Sequence, residues 1–144
     1  MVAMLVLAVL STSQNLLEYQ FSSIDNGTLE TVQCQVGDRI SITLDENQTT
    51  GYSWMIPEER EGFNEIWTLV GDTSESNPSN GMVGVGGTHT FTIQVNEAGV
   101  EHFTLVYGRP WLYDNAIDEY YRTGSFSAAI MEGTAIQLRI DASE

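Results

Sequence analysis

Thr88-His89-Thr90-Phe91-Thr92-Ile93-Gln94-Val95, then Asn96-Glu97-Ala98-Gly99, then Val100-Glu101-His102-Phe103-Thr104-Leu105-Val106-Tyr107, is the stretch whose reading decides the fold. The first eight residues alternate between polar and apolar or large side chains, the period of a strand with one face against a core. A short segment ending in Gly turns the chain, and a second strand-like run rich in β-branched and aromatic residues follows.

The same signature recurs on both sides. Leu17-Glu18-Tyr19-Gln20-Phe21 alternates, Asp25-Asn26-Gly27 reads as a turn, and residues 28–36 alternate again. Gly37-Asp38 turns the chain into Arg39-Ile40-Ser41-Ile42-Thr43-Leu44, which puts Ile40, Ile42 and Leu44 on one face. Tyr52-Ser53-Trp54-Met55-Ile56, Ile66-Trp67-Thr68-Leu69-Val70 and Ala135-Ile136-Gln137-Leu138-Arg139-Ile140 complete the set. Residues 71–87, rich in Gly, Ser and Asn, read as one long loop. Residues 112–133 break the rhythm, with a helical turn expected over 117–122 and an extra edge strand over 125–131. The expected fold is all-β, an immunoglobulin-like β-sandwich of about seven to eight strands, with a partly open barrel as the alternative.

Composition narrows the function. The chain has 144 residues, 42% hydrophobic and 17% charged, which suits one domain with a single core. There are 20 acidic residues against five Arg and no Lys, a net charge of −15. Such a surface repels phosphate backbones and anionic lipid, so nucleic acid is excluded as a partner. The lone Cys34 forms no internal disulfide, and its parity with Val32 and Val36 assigns it to the apolar face. Residues 1–10 are an unbroken apolar run, far short of the roughly 20 residues a membrane span needs. With Ser11-Thr12-Ser13 behind it, the run fits a secretory signal over residues 1–13, although no Lys or Arg precedes it. The expected product is a secreted, monomeric domain over residues 14–144, with no stable membrane insertion.

Enzymatic readings fit poorly. Cys34 lies on an apolar face in a chain with little positive charge, the opposite of a reactive thiolate's surroundings. His89 is expected on the solvent face, opposite Phe91 and Ile93, with His102 near it on a paired strand. Two His without Cys or carboxylate at ligand spacing make a weak zinc case. Asp114, Asp118 and Glu119 lack the alternation of a calcium loop and read as a solvated face. No catalytic residue, metal or cofactor is expected.

Three inter-strand segments stand out instead. Asn47-Gln48-Thr49-Thr50-Gly51-Tyr52 projects two Thr from a narrow turn in which Gly51 permits positive φ. Gly84-Val85-Gly86-Gly87 lets a backbone approach a partner closely. Tyr107-Gly108-Arg109-Pro110-Trp111, at a strand end, holds two residue types enriched in binding hot spots, Arg109 and Trp111, around a rigid Pro. Taken singly each has a bland reading: a turn, a flexible loop, a Trp that caps the core.

In order and spacing, Asn47-x-Thr-Thr-Gly-Tyr, Gly84-x-Gly-Gly and Arg109-Pro-Trp resemble the three-motif signature of the chagasin family, inhibitors of papain-like cysteine peptidases. The likeness covers roughly residues 28–111 and resumes at the last strand. It implies a reversible, tight-binding inhibitor whose first loop, Asn47 to Tyr52, enters the active-site cleft with Thr49 and Thr50 foremost. The segments Gly84 to Gly87 and Arg109 to Trp111 would clasp the two sides, by occlusion and without covalent chemistry. Two departures stand out: Gln48 where the family usually has Pro, and the long return over residues 112–133. Asn26-Gly27-Thr28 and Asn47-Gln48-Thr49 are formal N-glycosylation acceptors, and a glycan on Asn47 would obstruct docking. The competing reading is an exported immunoglobulin-like binding or adhesion module contacting another protein or a glycan, with Trp111, Tyr113, Tyr120 and Tyr121 suited to sugar stacking.

Overall fold

The computed structural model describes residues 15–22, 27–47, 51–58, 65–76, 86–111, 118, 122 and 134–144. They form eight strands: β1 (Leu16–Phe21), β2 (Leu29–Gln35), β3 (Arg39–Glu46), β4 (Ser53–Met55), β5 (Trp67–Ser76), β6 (Gly87–Val95), β7 (Gly99–Gly108) and β8 (Thr134–Ser143). Two four-stranded sheets, ordered β1-β3-β6-β5 and β2-β8-β7-β4, make the sandwich. β1 runs parallel to β3 and β2 parallel to β8, and the remaining pairs are antiparallel.

Alternation builds the core. Ile40, Ile42 and Leu44 of β3 lie beside Ile93 and Phe91 of β6, facing Phe103 and Leu105 of β7 and Ile136, Leu138 and Ile140 of β8, all buried. Each such side chain contributes roughly 1.5–3 kcal/mol by leaving water. The Trp67 ring meets Phe103 edge-on at 5.0 Å and its indole N–H donates to the His102 carbonyl at 3.1 Å. The Trp54 indole N–H donates to the Asp45 carbonyl at 2.9 Å. Both heteroaromatic donors are thereby satisfied inside the protein. The β2–β3 turn carries the chain from one sheet to the other: Gly37 has φ 98°, and the Asp38 carboxylate accepts from the Gln35 N–H at 2.9 Å. Cys34 is buried as expected, and burial pushes its thiol up to about 11, with Asp38 and Asp141 adding to the shift.

The structure corrects the sequence reading at three places. Residues 71–76 are strand rather than loop, because the edge of β6 offers them a ladder that extends to Ser76 opposite Gly87. A register shift between Leu69 and Gly71 leaves Val70 exposed and lets the strand run on. His89 is the second correction. It shares the parity of Phe91, Ile93 and Val95, and its ring stacks on Phe91 at 4.2 Å. The third is His102, which belongs to the other sheet, where it pairs with Arg139, so the two His do not share a strand pair. Among the described residues no His, Cys, Asp and Glu group could hold a metal ion. Asp118 and Arg122 are helical, and the rest of the helical turn expected over 117–122 lies outside the described residues. The edge strand expected over 125–131 and the signal segment over 1–13 lie outside the described residues.

Candidate functional site

Strand direction decides what gathers at one end of the sandwich. β3 and β7 end there, β4 and β6 begin there, and β5 reaches the same end at Ser76. The chain therefore delivers Asn47, Gly51, Tyr52, Gly86, Gly87, Arg109, Pro110 and Trp111 to one face. Of the sequence-derived set, Gln48, Thr49, Thr50, Gly84 and Val85 lie outside the described residues.

The first and third segments pack on each other. Gly51 has φ 82°, a left-handed conformation that Gly adopts without strain. A Cβ placed there would lie 3.1 Å from Cη2 of Trp111. The turn thus needs Gly twice, once for its dihedral and once for the indole beside it. Trp111 itself is 66% exposed, the most exposed of the large hydrophobic residues among the described residues. The Arg109 guanidinium stands over the Tyr52 ring at 5.0 Å and 6.0 Å from the Trp111 ring, within cation–π range of both. Arg109 and Trp111 are consequently held in place from beneath and beside by the turn that precedes β4.

The second segment abuts the first. A Cβ on Gly86 would come 2.9 Å from the Glu46 carbonyl oxygen and 3.8 Å from Cβ of Asn47. One on Gly87 would fall onto the Glu75 carbonyl of the adjacent strand. At these two positions the close approach is intramolecular: glycine lets β6 start between β3 and β5.

Beneath the loops lies a polar layer that sequence reasoning missed. His89 Nδ1 lies 3.0 Å from Oε1 of Glu46 and 3.1 Å from Oγ of Ser74, while Nε2 is 2.5 Å from Oδ1 of Asp72. Ser74 donates to Glu46 Oε2 at 3.2 Å. The Glu46 side chain is only 3% exposed, so this layer satisfies a carboxylate that the sandwich has taken out of water. The signal for it was the parity of His89 with Phe91, together with that of Glu46 with Leu44. Two aromatic residues buttress the site from below, Trp54 and Tyr107, the residue that opens the third segment. They stack at 4.7 Å, and Tyr107 also meets Tyr52 at 5.3 Å.

A two-sheet sandwich that braces a Gly turn, a Gly-Gly strand start and an exposed Arg-Pro-Trp corner at one end defines a loop-presenting protein-binding domain. Residues 33–123 match the model of the chagasin family of peptidase inhibitors, I42, and the chain belongs to that family. It is a peptidase inhibitor and not an enzyme. It is 32% identical over 96 residues to chagasin of Trypanosoma cruzi, an alignment spanning 66% of this chain and 84% of chagasin. The fold is similar to that of the cysteine protease inhibitor EhICP2 from Entamoeba histolytica, with a TM-score of 0.57 and 19% identity over 89% of this chain and 97% of that one. PbICP-C, solved in complex with falcipain-2, has a TM-score of 0.56 and 17% identity over 88% of this chain and 99% of that one.

Proposed function

We propose that this chain inhibits papain-like cysteine peptidases reversibly, by seating the Asn47–Tyr52 loop in the active-site cleft. The Gly84–Gly87 and Arg109–Trp111 segments close on its two sides. The observation that carries this reading is the Trp111 corner: an indole left 66% exposed yet close beside Gly51, with Arg109 over the Tyr52 ring. An exposed aromatic with its position already set loses little entropy on binding and suits a hot-spot anchor. Membership in a peptidase-inhibitor family supports the function, and the names of EhICP2 and of the falcipain-2 complex support the cysteine-peptidase class of target.

Steady-state kinetics test it. Papain should be inhibited competitively at sub-micromolar concentration, about −8 kcal/mol or stronger, and a serine peptidase should not respond. Full papain activity in the presence of roughly tens of micromolar folded protein, weaker than about −7 kcal/mol, sinks the reading. We further propose that residues 1–13 direct export and are removed, so that the inhibitor acts outside the cytoplasm. The support is the apolar run of residues 1–10 followed by Ser11-Thr12-Ser13. Mass spectrometry of the protein from its natural source should find Gln14 at the N-terminus; a chain that keeps Met1 contradicts this.

A further inference from the structure

Tyr107 lies just inside the third loop, two residues before Arg109, yet its side chain serves the first loop. Its hydroxyl accepts the Asn47 backbone N–H at 2.9 Å and lies 3.5 Å from the Asn47 carbonyl oxygen, to which it can donate. Asn47 is the residue where the chain leaves β3 for the first loop. The Tyr107 ring, meanwhile, meets the Tyr52 ring at 5.3 Å, where the chain returns from that loop toward β4. It stacks on Trp54, its cross-strand partner, at 4.7 Å. One side chain on the strand that feeds the third loop therefore touches both ends of the first. Arg109 over Tyr52 and Trp111 against Gly51 add two contacts between the same two loops from above.

We propose that Tyr107 is a positioning residue for inhibition: its hydroxyl bolts the root of the first loop to β7, so that the first and third loops dock as one preassembled surface. The inference rests on the cleft-occluding function proposed above. Asn47 meets Tyr107 through its main chain, so the bolt is independent of the side chain at position 47. The chemical logic is that of preorganisation. A loop held at both roots before encounter has less freedom to lose in the complex, and loosening one root should speed dissociation more than it slows association.

Tyr107→Phe tests this with the loss of one oxygen. The ring keeps its stacking on Trp54 and Tyr52, so the fold should survive, with the thermal midpoint lowered by only about 2–4 °C. The Asn47 amide should lose its acceptor, shift in the nitrogen–proton spectrum and exchange faster with solvent. The inhibition constant against papain should rise roughly three- to tenfold, the worth of one net hydrogen bond, mostly through a faster dissociation rate. In an Asn47→Ala background Tyr107→Phe should have the same fold effect, because the contact is to the main chain. If the parent inhibits and the folded Tyr107→Phe inhibits equally well, the inference is overturned while the function stands. If the Asn47 amide is unchanged, the hydrogen bond does not exist in solution and the inference again falls. A parent that does not inhibit papain overturns the function and this inference together.

Discussion

At the scale of single residues, the exposed corner and the turn it rests on dominate. Removing the Trp111 indole deletes the largest exposed apolar side chain among the described residues of the loop end, and Trp111→Ala should weaken inhibition by about 2–4 kcal/mol, roughly thirtyfold to several hundredfold. Gly51→Val should be comparably severe for a different reason. It forces a β-branched residue to φ 82° and drives its side chain into the indole 3.1 Å from the new Cβ. Inhibition constants for the two variants, with thermal unfolding to establish folding, check both. Cys34 is the contrasting case. Its buried thiol, pushed up to about 11, faces away from any loop chemistry. Cys34→Ser should leave the inhibition constant unchanged and lower stability by about 1–3 kcal/mol, the usual cost of burying a poorly satisfied polar group. A folded Cys34→Ser that no longer inhibits would point to a thiol mechanism instead.

Elements were more legible than the residues between them. Where alternation persisted for six residues or more, as in Arg39-Ile40-Ser41-Ile42-Thr43-Leu44, it marked a strand and its buried face, because a period of two has no other stable partner in a sandwich. The second half of β5 was illegible for the converse reason. Its Gly71-Asp72-Thr73-Ser74-Glu75-Ser76 run has little β propensity of its own, and its strand character comes from pairing with β6. That pairing places Asp72 and Ser74 beside His89. His89→Ala would leave the buried Glu46 carboxylate without the imidazole and should destabilise the fold by about 1–3 kcal/mol. The half-exposed Asp72 contributes little of this. Denaturant unfolding measures it, and a variant as stable as the parent would show that the layer is only decoration. Glu58 offers a pH-dependent check on the other sheet. Burial holds its carboxyl above the ordinary carboxylate range, against the pull of the Thr104 N–H and hydroxyl that donate to it. Between its unfolded and folded values the folded chain keeps a proton that the unfolded chain has released, so this group's contribution to stability falls as pH rises through that window. Glu58→Gln removes the charge. Its stability relative to the parent should therefore improve as pH rises from acid toward neutral, read from thermal midpoints across that range. A pH-independent difference would mean that Glu58 ionises freely.

At the scale of the whole molecule, the three loops were visible as motifs in order, but their gathering at one end was implied only by the family resemblance and not by the chain's own pattern. Which ends of the strands coincide depends on the parallel pairing of β1 with β3 and of β2 with β8, and on the crossing between sheets at Gly37. None of these leaves a local mark in the chain. The same topology explains why the role of Tyr107 was not legible: read along the sequence it belongs to the third segment, whereas in space it serves the first. The glycines at 86 and 87 were likewise legible as sites of close approach, and only the fold shows that the approach is to β3 and β5. The proposed inhibition depends on a preassembled loop surface that fills a peptidase cleft. Calorimetric titration of papain with the protein, with the cleft open and then filled by a covalently bound peptidyl ligand, tests that claim most directly. Cleft occlusion requires one-to-one binding to open papain at sub-micromolar affinity, about −8 kcal/mol or stronger, and no detectable binding once the cleft is filled. Equal binding to both forms would place the contact outside the cleft and contradict it.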